Sequence, residues 1–510
     1  MIEGPHFWQL AELANRLRKR DVSSVEVTRL MLDRIQAVDE TLNSYVRVMS
    51  DSAMVAAEAA DAEIAAGRYR GPLHGVPLGV KDLFCTKGVA TAAGMPIHRD
   101  FRPPEDATAV ARLRQAGAVL LGKLKMTEGA YSDHHPSVAP PKNPWNADYW
   151  PGISSSGPAA ATAAGLCYGA LASDTGGSIR WPCGATGLTG LKPTWGRVSR
   201  FGVAALAATL DHVGPIARSA ADAGAILGAI AGSDSKDPTA LLNPVPDYLA
   251  STGQGARGLR IGIDPQWNCD GVDASVQAVL RQASETFRSM GAVIFEVAVP
   301  DVTQAIIDWA PDCAVEAAVA HEATYPRRRD EYGAVLASVL DMGAAVSGVD
   351  LHKIQLRRME LRGRFAQLFR TIDLLLVPVH PFAPLSRAAI QTLGEQPDLI
   401  LALQRYTAPF NLTGIPTITL PGGFSEAGLP IGFQLVARHL DETTLIGAGA
   451  AFQAETAWHR RHPDSAQSTA AVGLREAERW PGLAGHRGAP QACGGGSGGV
   501  GGRLRRSAMN

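Results

Sequence analysis

Residues 149–173 carry no charged side chain. This run limits what the chain can fold into more than any other feature. A stretch of that length is long enough to cross a bilayer as a helix. Its composition forbids one. Pro151 and Pro158 interrupt any helical ladder, Ser154, Ser155 and Ser156 stand in a row, and glycines recur at 152, 157, 165 and 169. The run therefore has to be buried in a protein interior as loop, short helix and strand. Pro158 in the first turn and Gly165 near the end frame the helix at 159–164, whose small side chains allow close packing. Its N-terminus points back at the serines, where the helix dipole favours developing negative charge.

The rest of the composition fits a large buried core. The chain has 510 residues, 46% of them hydrophobic, enough for one big domain or two. Forty-eight basic and 49 acidic residues leave a net charge of −1, which argues against a nucleic-acid partner. Six cysteines are scattered without a CxxC pair, so neither a disulfide framework nor a zinc site is expected, and buried free thiols in a reducing compartment are. The N-terminal segment soon becomes charged, at Arg16, Arg18, Lys19, Arg20 and Asp21. No apolar core of a signal peptide is visible, and a cytoplasmic protein is expected.

Periodicity gives the fold class. Ser23-Ser24-Val25-Glu26 reads as a capping box opening a helix with Val27, Leu30, Met31 and Ile35 on one face. An alanine-rich helix follows Asp51. Asp106, Val110, Leu113 and Gly117 read as a capped, glycine-ended helix leading into a buried strand at 118–121. Further strands are expected at 259–263, 292–297 and 373–378, with a helical stripe of Val276, Val279, Leu280, Ala283 and Phe287 between the first two. This alternation predicts an α/β fold with a large mixed sheet covered by helices on both faces. One domain at 1–475 is expected, with a helical, substrate-facing subregion over the sheet at about 303–370. The Gly/Arg-rich segment 476–510 has linker composition and is expected to be disordered.

Several literal motifs fail on inspection. Residues 117–124 nearly spell a phosphate-binding loop, but the final Ser/Thr is missing and the intervening residues are strand formers. Ser233 to Lys236 spell SxxK without the partner motifs of penicillin-recognising enzymes. His134-His135 lack a third ligand at matching spacing, so no metal is expected. Glycines 494–499 spell GxGxxG with no readable strand or helix around them. GxSxG is absent.

Three segments survive: Lys81 at the end of Gly75-Val76-Pro77-Leu78-Gly79-Val80-Lys81, the run Gly152-Ile153-Ser154-Ser155-Ser156-Gly157, and Asp174-Thr175-Gly176-Gly177-Ser178. A serine needs a base to become a nucleophile, and a lysine held neutral can be that base. A Thr-Gly-Gly-Ser turn places backbone N–H groups beside a hydroxyl, as an oxyanion hole requires. With Gly190-Leu191-Lys192-Pro193, Leu210-Asp211-His212-Val213-Gly214-Pro215, Asn411-Leu412-Thr413-Gly414 and Gly428-Leu429-Pro430-Ile431-Gly432, these segments closely resemble the amidase signature family of Ser-cisSer-Lys hydrolases. The resemblance runs from about Leu10 to about Ala454.

That resemblance implies roles. Ser178 would attack the carbonyl carbon, Ser154 would relay its proton across a cis Ile153–Ser154 bond, and Lys81 would accept it. Backbone N–H groups of Thr175, Gly176, Gly177 and Ser178 would bind the oxyanion. Ser155 would tie the network, and Asp174 with Arg180 would support the loop. Gly129, Ala130 and Tyr131 align with the acyl-pocket wall, and Trp309, Tyr325 and Tyr332 are further aromatic candidates. Three positions depart from the family pattern: Ile153 and Ser156 stand where glycine is usual, and Pro158 stands where serine is. The implied activity is hydrolysis of small aryl or alkyl amides, with carbamates and esters in reach, without metal or organic cofactor. The implied partner is a small-molecule substrate, with neither nucleic acid nor membrane, for a monomer or homodimer. The alternative is the glutaminase subunit of a tRNA-dependent amidotransferase, which requires a partner protein.

Overall fold

The computed structural model describes residues 4–391 and 396–463. Eleven strands make one sheet: β1 (Tyr45–Val48), β2 (Pro77–Lys81), β3 (Val119–Leu124), β4 (Gly169–Asp174), β5 (Thr189–Lys192), β6 (His212–Ala217), β7 (Arg260–Ile263), β8 (Val293–Glu296), β9 (Leu374–Pro378), β10 (Thr417–Phe424) and β11 (Pro430–Ala437). Their spatial order is β1-β3-β2-β4-β6-β5-β10-β11-β9-β7-β8. β2 runs parallel to β3 and β4, and β7 parallel to β8 and β9. The other pairings are antiparallel.

Every residue of β2, β3 and β4 is buried. Side chains alternate between the two faces of a strand, so both faces of this part of the sheet are covered. The two edges differ from the centre. β1 and β8 are four residues long and mostly exposed, and short edges limit pairing with other chains.

Most expected elements form close to where the pattern puts them. Ser23 and Glu26 make the reciprocal capping box at the start of the helix Ser24–Leu42. The helical stripe is the helix Ala274–Ser289. The subregion at 303–370 holds the helices Thr303–Ala320, Ala334–Ala345 and Gly348–Leu368. Asp106 is a correction. The helix it was expected to cap begins at Thr108 with Ala107 in the cap position and no side-chain cap. Asp106 instead accepts the backbone N–H of Lys87 at 2.7 Å and pairs with Arg114 at 3.1 Å. A carboxylate that ties down a neighbouring loop is not available to the helix end.

The phosphate-loop look-alike is strand β3. Its Lys123 is fully buried and donates to the Phe84 carbonyl and Thr91 Oγ1, with Asp82 at 3.3 Å. Among the described residues no group of three His, Cys, Asp or Glu side chains is placed to hold a metal ion, and no single helix is long and apolar enough to cross a membrane. Cys167, Cys183 and Cys313 are buried free thiols, whereas Cys85 is half-buried and Cys269 exposed. The segment 476–510 lies outside the described residues.

Candidate active site

The parallel trio β3, β2 and β4 ends on one side of the sheet, and each strand delivers part of the site there. β2 ends on Lys81. β4 ends on Ser173-Asp174 and runs into the turn Thr175–Ser178. β3 ends on Leu124 and leads to residues 127–131. Register fixes the lateral match, since Val80 lies opposite Leu171 and Lys81 opposite Leu124. The carboxyl ends of parallel strands are where such sheets bind ligands.

Lys81 is fully buried, and its Nζ lies 2.8 Å from Ser154 Oγ and 2.9 Å from Ser173 Oγ. Burial lowers its pKa from the ordinary lysine value to about 7, against the opposing pull of the Asp174 and Asp211 carboxylates. Loss of hydration penalises an ammonium far more than an amine, and two carboxylates at a distance do not restore it. The shift favours the neutral amine over the ammonium at Lys81.

The serine run bends between β3 and the helix Arg180–Thr186. Thr127 N–H donates to the Ser154 carbonyl at 3.3 Å and Gly157 N–H to the Lys125 carbonyl at 3.0 Å. The Ile153–Ser154 peptide is cis. Gly152 has φ +85°, and a Cβ there would lie 2.3 Å from Pro182 Cα, so only glycine fits. Ser155 occupies the N-cap of the helix Ser156–Ala163, and its hydroxyl donates to the Ser173 carbonyl at 3.2 Å. It ties the serine loop to β4 rather than reaching Lys81. Ser156 Oγ lies 3.3 Å from His134 Nε2.

The turn carrying Ser178 is held from both sides. Asp174 accepts from the N–H groups of Gly177 at 2.9 Å, Ile179 at 3.0 Å and Arg180 at 3.3 Å. It also makes a fully buried ion pair with Arg180 at 2.8 Å and accepts from Asn411 Nδ2 at 2.8 Å. Burial opposes its ionisation, yet the Arg180 guanidinium and the Asn411 amide outweigh it and hold the carboxyl well below the usual range. The Gly177 N–H, one of the four expected to face an oxyanion, is turned to Asp174. Thr175 Oγ1 donates to Asp211 at 2.6 Å, and Trp309 Nε1 donates to the Thr175 carbonyl at 3.0 Å. Burial raises Asp211 to about 6, with the hydroxyl and backbone donors around it pulling the other way. The Trp309 ring packs on Gly176, where a Cβ would come within 2.4 Å of it.

A cavity of about 530 Å³ opens over Thr175, Gly176 and Ser178. Apolar and aromatic side chains dominate its walls: Tyr131, Trp181, Leu206, Trp309, Val339, Met342, Ile400 and Leu403. Of the three residues expected to form the pocket wall, Ala130 and Tyr131 line the cavity. Gly129 is a correction. It turns with φ +55° toward the helix Ala334–Ala345, where a Cβ would meet Leu336 at 2.9 Å. Tyr325 and Tyr332 are also corrections, because their hydroxyls bond within the helical subregion, to the Ala337 carbonyl and to Thr324 and His321.

A family model described as Amidase matches residues 26–446. The chain belongs to the amidase signature family. It is therefore an amidase, a hydrolase of carbon–nitrogen bonds. A Mycobacterium tuberculosis protein (strain ATCC 25618 / H37Rv) that bears the provisional name amidase AmiD is 47% identical over 456 residues, covering 89% of this chain and 95% of that one. A glutamyl-tRNA(Gln) amidotransferase subunit of Geobacter sp. (strain M21) is 40% identical over 474 residues, covering 88% and 97%. A bacterial aryl acylamidase of solved structure superposes with a TM-score of 0.80 at 26% identity, covering 89% and 98%.

The amidase signature segments outside the serines prove to be the frame of the site. Asn411, from one of these segments, and Gln434 of β11, two residues beyond another, are far from Asp174 in sequence, yet both touch the Asp174–Arg180 pair, with Asn411 also bonding the Asp174 carbonyl at 3.1 Å and Gln434 lying 3.5 Å from Arg180. Lys192 donates to the Ile415 carbonyl at 2.6 Å and so pins β5 to the segment before β10. Sequence reasoning missed Ser173 and Trp181. Ser173 becomes a Lys81 partner only through the β2/β4 register, which no local pattern announces. Trp181 stands three residues after Ser178 in the signature, and a large aromatic in an otherwise small-residue run was an available signal.

Proposed function

We propose that this amidase cleaves the C–N bond of carboxylic amides through an acyl-enzyme on Ser178, with Ser154 passing the Ser178 proton to Lys81. The observation that carries this reading is the buried Lys81 amine, lowered to about 7 and 2.8 Å from Ser154 Oγ. A neutral amine can donate one N–H to Ser173 and turn its lone pair on the Ser154 hydroxyl, as a general base must. Ser178 Oγ then adds to the carbonyl carbon, and the N–H groups of Thr175, Gly176 and Ser178 receive the oxyanion. Collapse of the adduct breaks the C–N bond, and the leaving amine takes back the proton held on Lys81 through Ser154. A water molecule repeats the sequence on the acyl-enzyme and releases the acid. This route uses no metal and no organic cofactor.

The rate should follow the protonation of Lys81. Below its pKa the ammonium has no lone pair and cannot accept a proton. kcat/KM is therefore expected to rise about tenfold per unit up to pH about 7 and to level above it. A profile on an acyl anilide between about pH 5 and 10 measures this. A limb in the range of free lysine, about 10.4, would mean that Lys81 is not held neutral by its surroundings.

We assign neutral aryl or alkyl amides as the substrate class, with aryl carbamates and esters reacting through the same oxyanion site. The largely apolar cavity walls support this, because burying such groups yields roughly 25 cal/mol per Å². The aryl acylamidase of similar structure supports it too. The second reading, a glutaminase subunit, draws on the 40% identity to the amidotransferase chain. Against it, the described lining of the cavity includes no lysine or arginine to meet an α-carboxylate, and Arg180 is committed to Asp174. Catalytic efficiency on an acyl anilide, an aryl carbamate and glutamine is expected to fall in that order. Glutamine as the best of the three would favour the amidotransferase role.

A further inference from the structure

A second cavity, of about 410 Å³, adjoins the one that holds Ser178. Five residues border both: Ser132, Asp133, Ile153, Ala334 and Val335. They come from three separate segments, the loop after β3, the serine loop and the start of the helix Ala334–Ala345. Two cavities that share walls from three segments lie side by side, and their shared border is the neck between them. Ile153 stands at that neck in place of the glycine usual in such serine loops. Val335 stands there from the helix side, exposed.

The two ends differ in chemistry. The end at Ser178 is walled mainly by aromatic and aliphatic side chains. The far end carries Glu128, His134, His135, Ser156 and Arg387, with Asp133 at the neck. Among the described residues the Arg387 side chain has no hydrogen-bond or ion-pair partner and is half-buried. This end presents groups of both signs, Arg387 against the Glu128 and Asp133 carboxyls, so an arm of either charge gains from one and is opposed by the other. A neutral arm that both donates and accepts hydrogen bonds can pair with groups of both kinds and is opposed by neither.

The geometry points to a bipartite substrate site, in which the scissile amide and an apolar group occupy the Ser178 end while a neutral hydrogen-bonding arm of the same substrate passes the neck into the second cavity. This rests on the reading of Ser178 as the nucleophile. The substrate class is then extended amphiphilic amides or carbamates, and Ile153 and Val335 set the selectivity between extended and compact ones. Pockets of this combined size are ample for a two-part ligand.

The test uses two anilides with the same acyl group, one bare and one carrying a para arm of about eight atoms that ends in a primary amide. Wild type is expected to favour the armed substrate by about tenfold in kcat/KM. Val335→Trp, which narrows the neck away from the triad, should bring that ratio close to one. Arg387→Ala, at the far end, should reduce it about threefold through KM of the armed substrate. Fluorophosphonate labelling of Ser178 in each variant reports separately on the catalytic residues. An unchanged ratio in both variants, with Ser178 still labelled, overturns the bipartite site. Absence of turnover on either anilide by folded wild type, with Ser178 unlabelled, overturns the nucleophile assignment instead.

Discussion

Ser178→Ala is expected to abolish acyl-enzyme formation and to lower amide turnover by about 10⁴-fold or more, leaving the fold intact. The side chain sits at the end of a turn, 6% exposed and facing the cavity, and its removal leaves the Asp174–Arg180–Asn411 frame untouched. Melting temperature should therefore stay near that of wild type. Mass spectrometry after fluorophosphonate treatment locates the nucleophile directly, and the adduct is expected on Ser178 and absent from the variant. An adduct on Ser154, or on the exposed Ser233 of the SxxK sequence, would reassign it.

Lys81→Ala should cost nearly as much. General-base help alone contributes roughly 10²–10⁴-fold, and here the relay through Ser154 fails with it, so a loss toward the upper end of that range or beyond is expected. The variant should also lose the limb at pH about 7 expected of wild type. That second readout matters because Asp211 is raised to about 6 close by and could impose a limb of its own. A limb surviving in Lys81→Ala would belong to Asp211. Lys81→Met, which keeps most of the buried volume, separates the loss of the base from the loss of packing. Circular dichroism and melting temperature on both variants complete the comparison.

Local patterns in the chain carried much of the fold. The capping box at Ser23–Glu26, the stripe from Val276 to Phe287 and the buried strands are nearest-neighbour effects, readable because helix and strand periods are set by the backbone alone. Lys81, Ser154 and Ser178 were legible for a different reason. Each sits in a short run of glycine and hydroxyl residues whose composition has a chemical use. The uncharged run 149–173 resolved as expected into loop, the helix Ser156–Ala163 and β4. Asp106 shows where local reading fails: a capping residue has competitors for its carboxylate, and only the folded loop at Lys87 reveals which one wins.

The sequence by itself determined the elements, the uncharged buried segment and the three runs to which we assign the chemistry. The tertiary structure decided what surrounds them. Ser173 meets Lys81 because β2 and β4 are parallel neighbours in one register, and register depends on pairing across 92 residues of chain. Burial on all sides, which lowers Lys81 to about 7, is a property of the whole packed sheet and has no local signature. The N–H of Gly177 is turned to Asp174 because that carboxylate folds back beneath the turn. Gly129 and the two tyrosines left the pocket wall, and Trp181, Leu403 and Val335 entered it, because a cavity is bounded by whatever elements happen to meet there. Periodicity encodes which face of an element is buried, whereas long-range packing alone decides what that face is buried against.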